Sequence, residues 1–285
     1  MRADYRGADA AFGPEALAEY HDLERRGLLH KHVLHRRSSQ AFALNLFAPL
    51  GNAGLRDVLA GLGIDVPSKI TWTYEWSPAD DVLREGRPDS PHATQIDVRI
   101  DCLDGGANRI VVLGEVKFTE DGFGECSAFT SAANPWRDVC RTPGLFGEQP
   151  ERCWMLRNHT RNPAMRTRSY ADLLAHRQIS PPPPVADDGG CWVRRGRSQP
   201  MRNLALAEHL IGSSQADRVV WALIAPAGHR HAWAQLAEVR AVFPSTAVVG
   251  VSGLLAESVA RAHPDGGAAL HLRYPILQLD AAAGR

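Results

Sequence analysis

The chain has 285 residues, of which 44% are hydrophobic, and its 32 basic residues balance 32 acidic ones. A chain of this size can bury a substantial core as one large α/β domain or one domain with an insertion. Zero net charge argues against coating nucleic acid by net charge alone, although local basic patches are compatible with it. No apolar run approaches the roughly 18 residues of a membrane span, so we expect a soluble, cytoplasmic protein with no membrane partner.

The first part of the chain predicts helices followed by a strand. Residues 14–27 begin with proline and end with glycine, which is typical of a helix. Residues 30–37 (HKHVLHRR) form a basic connector. A serine N-cap and an apolar pattern predict a short, buried helix over 38–49, with a further short helix over 55–62. Residues 69–76 alternate β-branched and aromatic side chains, which predicts a strand.

The middle of the chain predicts a hairpin and then an irregular insertion. Strands over 94–103 and 109–118 flank a glycine-containing turn and should pair antiparallel. Periodicity disappears over 121–200, which predicts an irregular insertion and not a second core. Regular elements then return as a helix over 201–212, a strand over 218–225, a helix over 230–242, a strand over 246–251 and a helix over 253–262.

This order of elements predicts an α/β fold with a mixed central sheet flanked by helices. We expect a single domain over 1–285 that has four parts. These are the N-terminal helix and basic connector (1–37), the first core half with the hairpin (38–120), the insertion containing Arg, Trp and Cys (121–200), and the second core half (201–285).

Lys117 stands out because only three of the 32 Lys and Arg residues are lysines. Arginine stays protonated, whereas the compact lysine ammonium has a pKa that its surroundings can move. Glu115 has the same parity in the strand, so the two side chains project from the same face. Asp97 points away from the apolar stripe of its own strand. A hairpin register that places it beside Glu115 would let the two carboxylates share a metal ion.

This constellation suits metal-assisted hydrolysis of a phosphodiester. Mg²⁺ prefers oxygen ligands and keeps several waters, so one or two carboxylates suffice, and Mn²⁺ is the alternative ion. Lys117 would orient or deprotonate the attacking water, or stabilise charge on the phosphate. The alternative interpretation is a surface Glu–Lys ion pair with no catalytic role. The apolar strand around Lys117 and the preceding strand with Asp97 favour the catalytic interpretation.

These residues resemble the PD-(D/E)xK nuclease superfamily, whose core is a helix, three strands, a helix and a strand. The chain is similar to a group of bacterial restriction-endonuclease-like proteins in separated segments, which are 38–50, 94–100, 115–120 and 199–207. The resemblance implies a restriction-endonuclease-like core. It also implies Asp97, Glu115 and the backbone carbonyl of Val116 as metal ligands, and Lys117 as the catalytic lysine. Ile96 stands where the motif has proline.

Five further residues are candidates for supporting roles: Gln40, Glu75, Gln199, Arg202 and Asn203. Gln40 either supports the metal site or makes a hydrogen bond at the helix start. Glu75 is either a third acid or a solvated edge residue. For the other three, which open the helix after the insertion, the resemblance suggests active-site support or a phosphate contact, and helix capping is the alternative. We interpret Glu120 as a turn residue or an indirect support.

The cysteines predict reduced thiols, because they are odd in number and include no C-x-x-C pair. They are Cys102, Cys126, Cys140, Cys153 and Cys191. The last four follow the Glu-Val-Lys segment and could ligate structural zinc or an iron–sulfur cluster. Their long, irregular spacing favours inert buried thiols, and both alternatives stay open.

We therefore expect a Mg²⁺-dependent DNA endonuclease that serves restriction, defence or repair. A catalytically silent DNA- or protein-binding module on the same fold is the alternative, and a structural Cys-metal protein is a third. The basic connector and the arginines of the insertion would contact the phosphate backbone. Those arginines are Arg157, Arg161, Arg166, Arg168, Arg194, Arg195 and Arg197. A homodimer is left open.

Overall fold

The computed structural model describes most of the chain. The described residues are 5–65, 67–85, 93–120, 123–132, 134–141, 152–156, 168–174, 190–194, 196–242, 247–251, 254–265, 270 and 274. Four arginines predicted to contact DNA, Arg157, Arg161, Arg166 and Arg195, lie outside these residues.

The described elements comprise helices and strands in mixed order. The helices are α1 (Ala8–Ala11), α2 (Pro14–Arg25), α3 (Ser39–Phe47), α4 (Gly51–Gly61), α5 (Ser127–Thr130), α6 (Tyr170–Leu174), α7 (Ser198–Gly212), α8 (Arg230–Val242) and α9 (Leu254–Ala262). The strands are β1 (Lys69–Trp76), β2 (Ile96–Leu103), β3 (Arg109–Val116), β4 (Arg218–Ile224) and β5 (Ala247–Val251). Short 3-10 turns cover Ala48–Leu50, Arg137–Arg141, Trp154–Leu156 and Trp192–Arg194.

The strands form one mixed sheet in the order β1-β2-β3-β4-β5. β1, β2 and β3 are antiparallel neighbours, which confirms the predicted hairpin. β3, β4 and β5 are parallel, so the chain must cross over between them. The insertion and α7 lie between β3 and β4, and α8 lies between β4 and β5. This topology brings the start of α7 back to the end of β3.

Each face of the sheet has its own hydrophobic cluster. Side chains such as Val98, Val112 and Ala222 pack with α2, α3, α4 and α9 on the first face. Leu113 and Trp221, at alternate positions, pack with α7 and α8 on the second face. The apolar side chains and cysteines of the insertion join the second cluster, together with residues of the sheet and of α7 and α8. Their burial comes from the sheet face and not from any periodicity of their own.

Two helix boundaries differ from the sequence-based prediction because of proline. Pro49 lies in the 3-10 turn between α3 and α4, so α4 begins at Gly51, earlier than predicted. Pro200 lies in the first turn of α7, which begins at Ser198. A proline costs little there, because the first amides of a helix have no partner within it. Ser38 caps α3 as predicted and accepts from the Ala41 amide at 3.2 Å.

The described ranges contain no helix that is both long and apolar enough to cross a membrane.

Candidate active site

Three carboxylates form a row across the first three strands. Tyr74 pairs with Val98, and Trp76 pairs with Ile96, so Glu75 stands opposite Asp97. The β2–β3 register ends at the Val98–Gly114 pair, and one step further it sets Asp97 opposite Glu115. Cross-strand neighbours on one face lie about 4.5–5.5 Å apart at their Cβ atoms. The register therefore concentrates negative charge at one end of the sheet.

Glu115 and Lys117 form a buried ion pair on the second face. Their residues are 1% and 7% exposed, and the Lys117 Nζ lies 2.8 Å from the Glu115 Oε1. The Glu115 Oε2 accepts a hydrogen bond from the Asn203 Nδ2 at 2.9 Å, and the Lys117 Nζ donates to the Gln199 Oε1 at 3.0 Å. Burial opposes the charge of Lys117, but Glu115 and Asp97 outweigh it and raise the lysine pKa. The ammonium is therefore held in its charged form.

The first turns of α7 supply one hydrogen-bond partner to each member of this ion pair. Gln199 and Asn203 are four residues apart and so share one face of the helix. Arg202 points elsewhere, with its Nη1 3.9 Å from the Glu85 Oε1 and its Nε donating to the Ser198 carbonyl at 3.4 Å. Of the three candidates on α7, the structure brings Gln199 and Asn203 to the row of acids and places Arg202 against Glu85.

Asp97 is half-buried and is held by the strand opposite. Its Oδ2 accepts a hydrogen bond from the Val116 amide at 2.6 Å. Burial raises the pKa of Asp97 well above its usual range, and the charges of Glu115 and Glu75 raise it further. Lys117 and the Val116 amide oppose this shift. The single ammonium thus does not balance the row of acids.

Glu75 has an unusual backbone conformation for a strand residue. Its φ is 49°, in the left-handed region that non-glycine residues rarely adopt. Its Oε1 accepts a hydrogen bond from the Gln40 Nε2 at 2.8 Å. Burial raises the pKa of Glu75 to about 7, aided by Glu115 and opposed by Gln40. Backbone strain of this kind costs on the order of 1–3 kcal/mol and collects at functional sites.

The acids line an open cleft of about 1240 Å³. Five residues of the basic connector 30–37 line the same cleft, with Lys31 and Arg37 among them. Three hydrogen bonds fix the connector to the site. The His30 amide donates to the Gln40 Oε1 at 2.9 Å, the Arg37 Nε donates to the Thr119 Oγ1 at 3.3 Å, and this hydroxyl donates to the Arg37 carbonyl at 3.2 Å. The cleft therefore combines acidic and basic surfaces.

Comparison with known proteins gives one family. The chain matches the family described as REase-ARP, restriction endonuclease associating with ARP, over residues 14–245. The chain belongs to this family. The matched range contains the acid row, Lys117 and the start of α7. No curated protein and no solved structure shows a significant match.

Membership of the REase-ARP family supports a restriction-endonuclease-like and nuclease-like role for the chain. The mixed α/β sheet is compatible with such a family.

Within the REase-ARP match, the site also contains a residue that sequence reasoning missed. Ser39 accepts from the Phe118 amide at 3.1 Å and its hydroxyl contacts the Glu120 carboxylate. The sequence offered one signal for Ser39, which is its position between the N-cap Ser38 and the candidate residue Gln40.

Glu120 joins the site as a support for the chain beyond β3. Its Oε2 accepts from the Phe118 amide at 3.0 Å and the Thr119 amide at 3.1 Å. Burial would raise the pKa of Glu120, but the Ser39 hydroxyl, the local amides and Lys117 together lower it. Glu120 therefore shapes the turn after Lys117, as the sequence indicated.

The donor set of this REase-ARP site fits a hard divalent cation. The Glu115 Oε1 is fully buried and faces the Lys117 Nζ at 2.8 Å. Among the described residues, no three His, Cys, Asp or Glu side chains are gathered as a metal site. Mg²⁺ needs only one or two carboxylates and keeps its own waters, so Asp97 and Glu115 are the residues that could hold it. Burial first, and then the neighbouring carboxylates, raise the pKa values of Asp97 and Glu75, and a bound cation would oppose both effects.

Proposed function

We propose that this chain is a metal-dependent DNA endonuclease of the PD-(D/E)xK type, with a restriction-endonuclease-like core. The observation that carries the proposal is the alignment of Asp97 and Glu115 on adjacent strands beside the buried ammonium of Lys117. A structural ion pair would need neither the second carboxylate nor the open cleft. Family membership independently supports a nuclease-like role.

Asp97, Glu115 and the backbone carbonyl of Val116 would hold Mg²⁺, with Mn²⁺ as the alternative ion. The ion would neutralise phosphate charge and activate water. Lys117 orients the attacking water or stabilises the charge that develops on the phosphate. Gln199 fixes the lysine ammonium through the 3.0 Å hydrogen bond.

Two further residues hold the carboxylates in place. Asn203 fixes the Glu115 carboxylate through a 2.9 Å hydrogen bond. The Glu75 carboxylate lies beside Asp97. The Gln40 Nε2 orients this carboxylate by donating a hydrogen bond to the Glu75 Oε1 at 2.8 Å. Interactions of this kind, which orient metal ligands, commonly change metal affinity or activity by about 10–100-fold when removed.

The basic connector supports a nucleic-acid substrate. Lys31, Arg37 and the histidines at 30, 32 and 35 line the same cleft as the acids. Cationic side chains attract the phosphate backbone without reading its sequence. A strand that lies along the connector would present a phosphodiester to Asp97 and Glu115. Because the Gln40 and Thr119 hydrogen bonds fix the connector to the site, the distance between the two surfaces is set by the fold.

Closed circular DNA provides the decisive assay. We expect nicking or linearisation with Mg²⁺ or Mn²⁺, and no cleavage in EDTA or in Glu115→Gln. Cleavage of closed circles identifies an endonuclease, whereas degradation of linear DNA alone indicates an exonuclease. Cleavage of RNA but not DNA would reassign the substrate. Binding of DNA without cleavage under every ion tested would instead support the silent module.

A paired variant separates substrate binding from chemistry. Lys31→Ala combined with Arg37→Ala should weaken DNA binding in EDTA and reduce the slope of affinity against salt concentration. Arg25→Ala combined with Arg56→Ala, which removes two exposed charges outside the cleft lining, is the matched control. Equal losses in the two double variants would argue against the connector as the DNA contact.

A further inference from the structure

The ammonium of Lys117 is held by contacts from outside its own strand. β3 ends at Val116, and the Lys117 amide donates to the Ile224 carbonyl at 2.9 Å, so the sheet fixes the backbone of the lysine. Its side chain is a flexible four-carbon stem, which places the Nζ only as well as the surroundings allow. Glu115 and Gln199 are the polar partners of this atom. A further contact comes from an aromatic ring.

This ring belongs to Phe123, in the insertion. The Lys117 Nζ lies 5.8 Å from the centroid of the ring, which is within the range of a cation–π contact. Phe123 is fully buried, and its ring packs against the indole of Trp221 on β4 with 5.6 Å between the ring centroids. The sheet therefore supports the ring from one side. On its other side, the ring keeps water away from part of the ammonium and limits the positions that the Nζ can take.

A helix on the same face of the sheet holds Phe123 in this place. The Phe123 amide donates a hydrogen bond to the Gln235 Oε1 at 3.0 Å, although 112 positions separate the two residues. Phe123 lies outside the helices and strands, so its amide is not paired by regular secondary structure. Gln235 lies on α8 and supplies the acceptor instead. Replacing this one glutamine would therefore release the segment that carries the ring.

The same side of α8 also holds the segment that leads into α7. Glu238 lies three residues after Gln235, and its carboxylate pairs with the guanidinium of Arg197, which is 2% exposed and immediately precedes α7. A Cβ on Gly196 would lie 2.8 Å from the Gln235 Nε2, so the glutamine amide packs closely against this segment. The first turn of α7 carries Gln199, the hydrogen-bond partner of the ammonium. One helix thus contacts both segments that hold the lysine side chain.

We propose that Gln235 is a positioning residue of the candidate active site, and that it acts on the Lys117 ammonium through the ring of Phe123. Gln235 is not one of the described residues that line the cleft, so it would touch neither DNA nor a metal ion. Its hydrogen bond fixes the ring, and the ring keeps the ammonium between Glu115 and Gln199. The expected effect on cleavage rests on the proposed nuclease function, whereas the effect on the lysine side chain does not.

The scarcity of lysine makes the first test direct. The chain has three lysines, so labelling lysine with ¹³C and ¹⁵N gives three sets of side-chain NMR signals, and Lys117→Met assigns one of them. In the metal-free, unmodified protein we expect a nuclear Overhauser contact between the Lys117 Hε protons and the Phe123 ring, because the Nζ lies over that ring. The lack of this contact would overturn the proposal. The measurement needs neither an active enzyme nor a substitution at Gln235.

Substitutions then test whether Gln235 is responsible for this contact. Gln235→Met keeps the length of the side chain but offers no acceptor to the Phe123 amide, so the Lys117 signals should shift and lose their contact with the ring. Gln235→Glu keeps an acceptor oxygen and should retain that contact. His231→Ala, at an exposed position on the same helix, is the control and should leave the Lys117 signals in place. Unchanged Lys117 signals in Gln235→Met would overturn the proposal.

Cleavage assays show what this positioning contributes to catalysis. With Mg²⁺ or Mn²⁺, Gln235→Met should lower kcat by about 10–100-fold and leave KM nearly unchanged, because the ammonium is misplaced while the DNA contacts remain. Phe123→Leu should do the same, and the double variant should lose no more than either single variant, since both act through one ring. Additive losses, or a lower kcat with unchanged Lys117 signals, would contradict the proposal. If the unmodified protein cleaves nothing, the proposed function fails, and the NMR comparison still decides whether Gln235 places the ammonium.

Discussion

The ammonium of Lys117 lies 2.8 Å from a carboxylate oxygen of Glu115, and both residues are almost fully buried. Removing two charges from water costs several kcal/mol per ion, and mutual attraction often fails to repay this cost. Asn203 and Gln199 supply further hydrogen bonds to the pair. A protein that needed only a stable core could have used apolar residues here, so the pair is better explained by chemistry.

Lys117→Met should abolish most DNA cleavage. We expect kcat to fall by about 10²–10³-fold, because a preorganised charge beside the reacting phosphate is lost. DNA affinity in EDTA should change little, since the phosphate contacts that we propose lie mainly on the connector. Initial rates and filter binding measure the two effects. Lys69→Met, at an exposed lysine at the start of β1, is the control. Unchanged cleavage by Lys117→Met would refute the assigned role.

Asn203→Ala should weaken metal binding, because the Glu115 carboxylate loses the donor that orients it. A loss of about 10–100-fold in Mg²⁺ or Mn²⁺ affinity is expected. Arg202→Ala, one residue earlier on α7, should leave metal affinity unchanged because Arg202 faces Glu85. Isothermal titration of both variants checks the contrast. Similar losses in the two would show that α7 acts as a whole and not through Asn203.

Glu75→Gln should stabilise the metal-free protein at high pH. The pKa of Glu75 rises from 4.5 to about 7 on folding. The folded state therefore binds more protons between these values, and the free energy of unfolding falls as pH rises through this window. The pKa of Asp97 is also raised on folding, from its usual 3.8, so Asp97 likewise lowers the free energy of unfolding as pH rises above that value.

The glutamine variant cannot titrate at this position, so it lacks the loss of unfolding free energy that Glu75 causes as pH rises. At pH 8 in EDTA it should exceed the unmodified protein in unfolding free energy by on the order of 1–3 kcal/mol. The difference should vanish near pH 4 and shrink when Mg²⁺ is added. Denaturant unfolding at several pH values measures it. A constant difference across pH would show that charge is not the cause.

Gly114→Ala should destabilise the sheet beside the site. A Cβ at this position would lie 2.8 Å from the Ile224 Cδ1 and 3.1 Å from the Val98 carbonyl oxygen. Overpacking of this kind costs about 1–3 kcal/mol. Gly105→Ala, whose Cβ would meet nothing within 4 Å, should change stability by less than about 0.5 kcal/mol. Thermal or urea unfolding compares the two. Equal stability would show that the Ile224 side chain and the Val98 carbonyl can move aside at no cost.

Local patterns were enough to predict much of the sheet. The alternation in residues 69–76 gave the bounds of β1, and the turn between β2 and β3 gave the antiparallel hairpin. The shared face of Glu115 and Lys117 followed from the two-residue period of a strand. The register that aligns Asp97 with Glu115 was left open, because several hairpin registers satisfy the same pattern.

Long-range relationships could not be predicted in this way. Asn203 and Glu115 are separated by 88 positions, and the crossover to β4 brings them together. The left-handed conformation of Glu75 has no signal in residue type, since it depends on its partners in the fold. The insertion lacks periodicity, so the sequence did not reveal that its apolar side chains and cysteines pack on the second face of the sheet.

The strand that ends at Val116 and the shared side of Glu115 and Lys117 were thus determined locally, because side-chain direction along an extended chain depends on parity. Their partners were determined by topology. The parallel pairing of β3 with β4 returns α7 to the end of β3 and places Gln199 and Asn203 on the buried ion pair. Contacts between distant segments depend on the packing of the whole sheet, and that packing turns a common Glu-x-Lys tripeptide into a candidate active site.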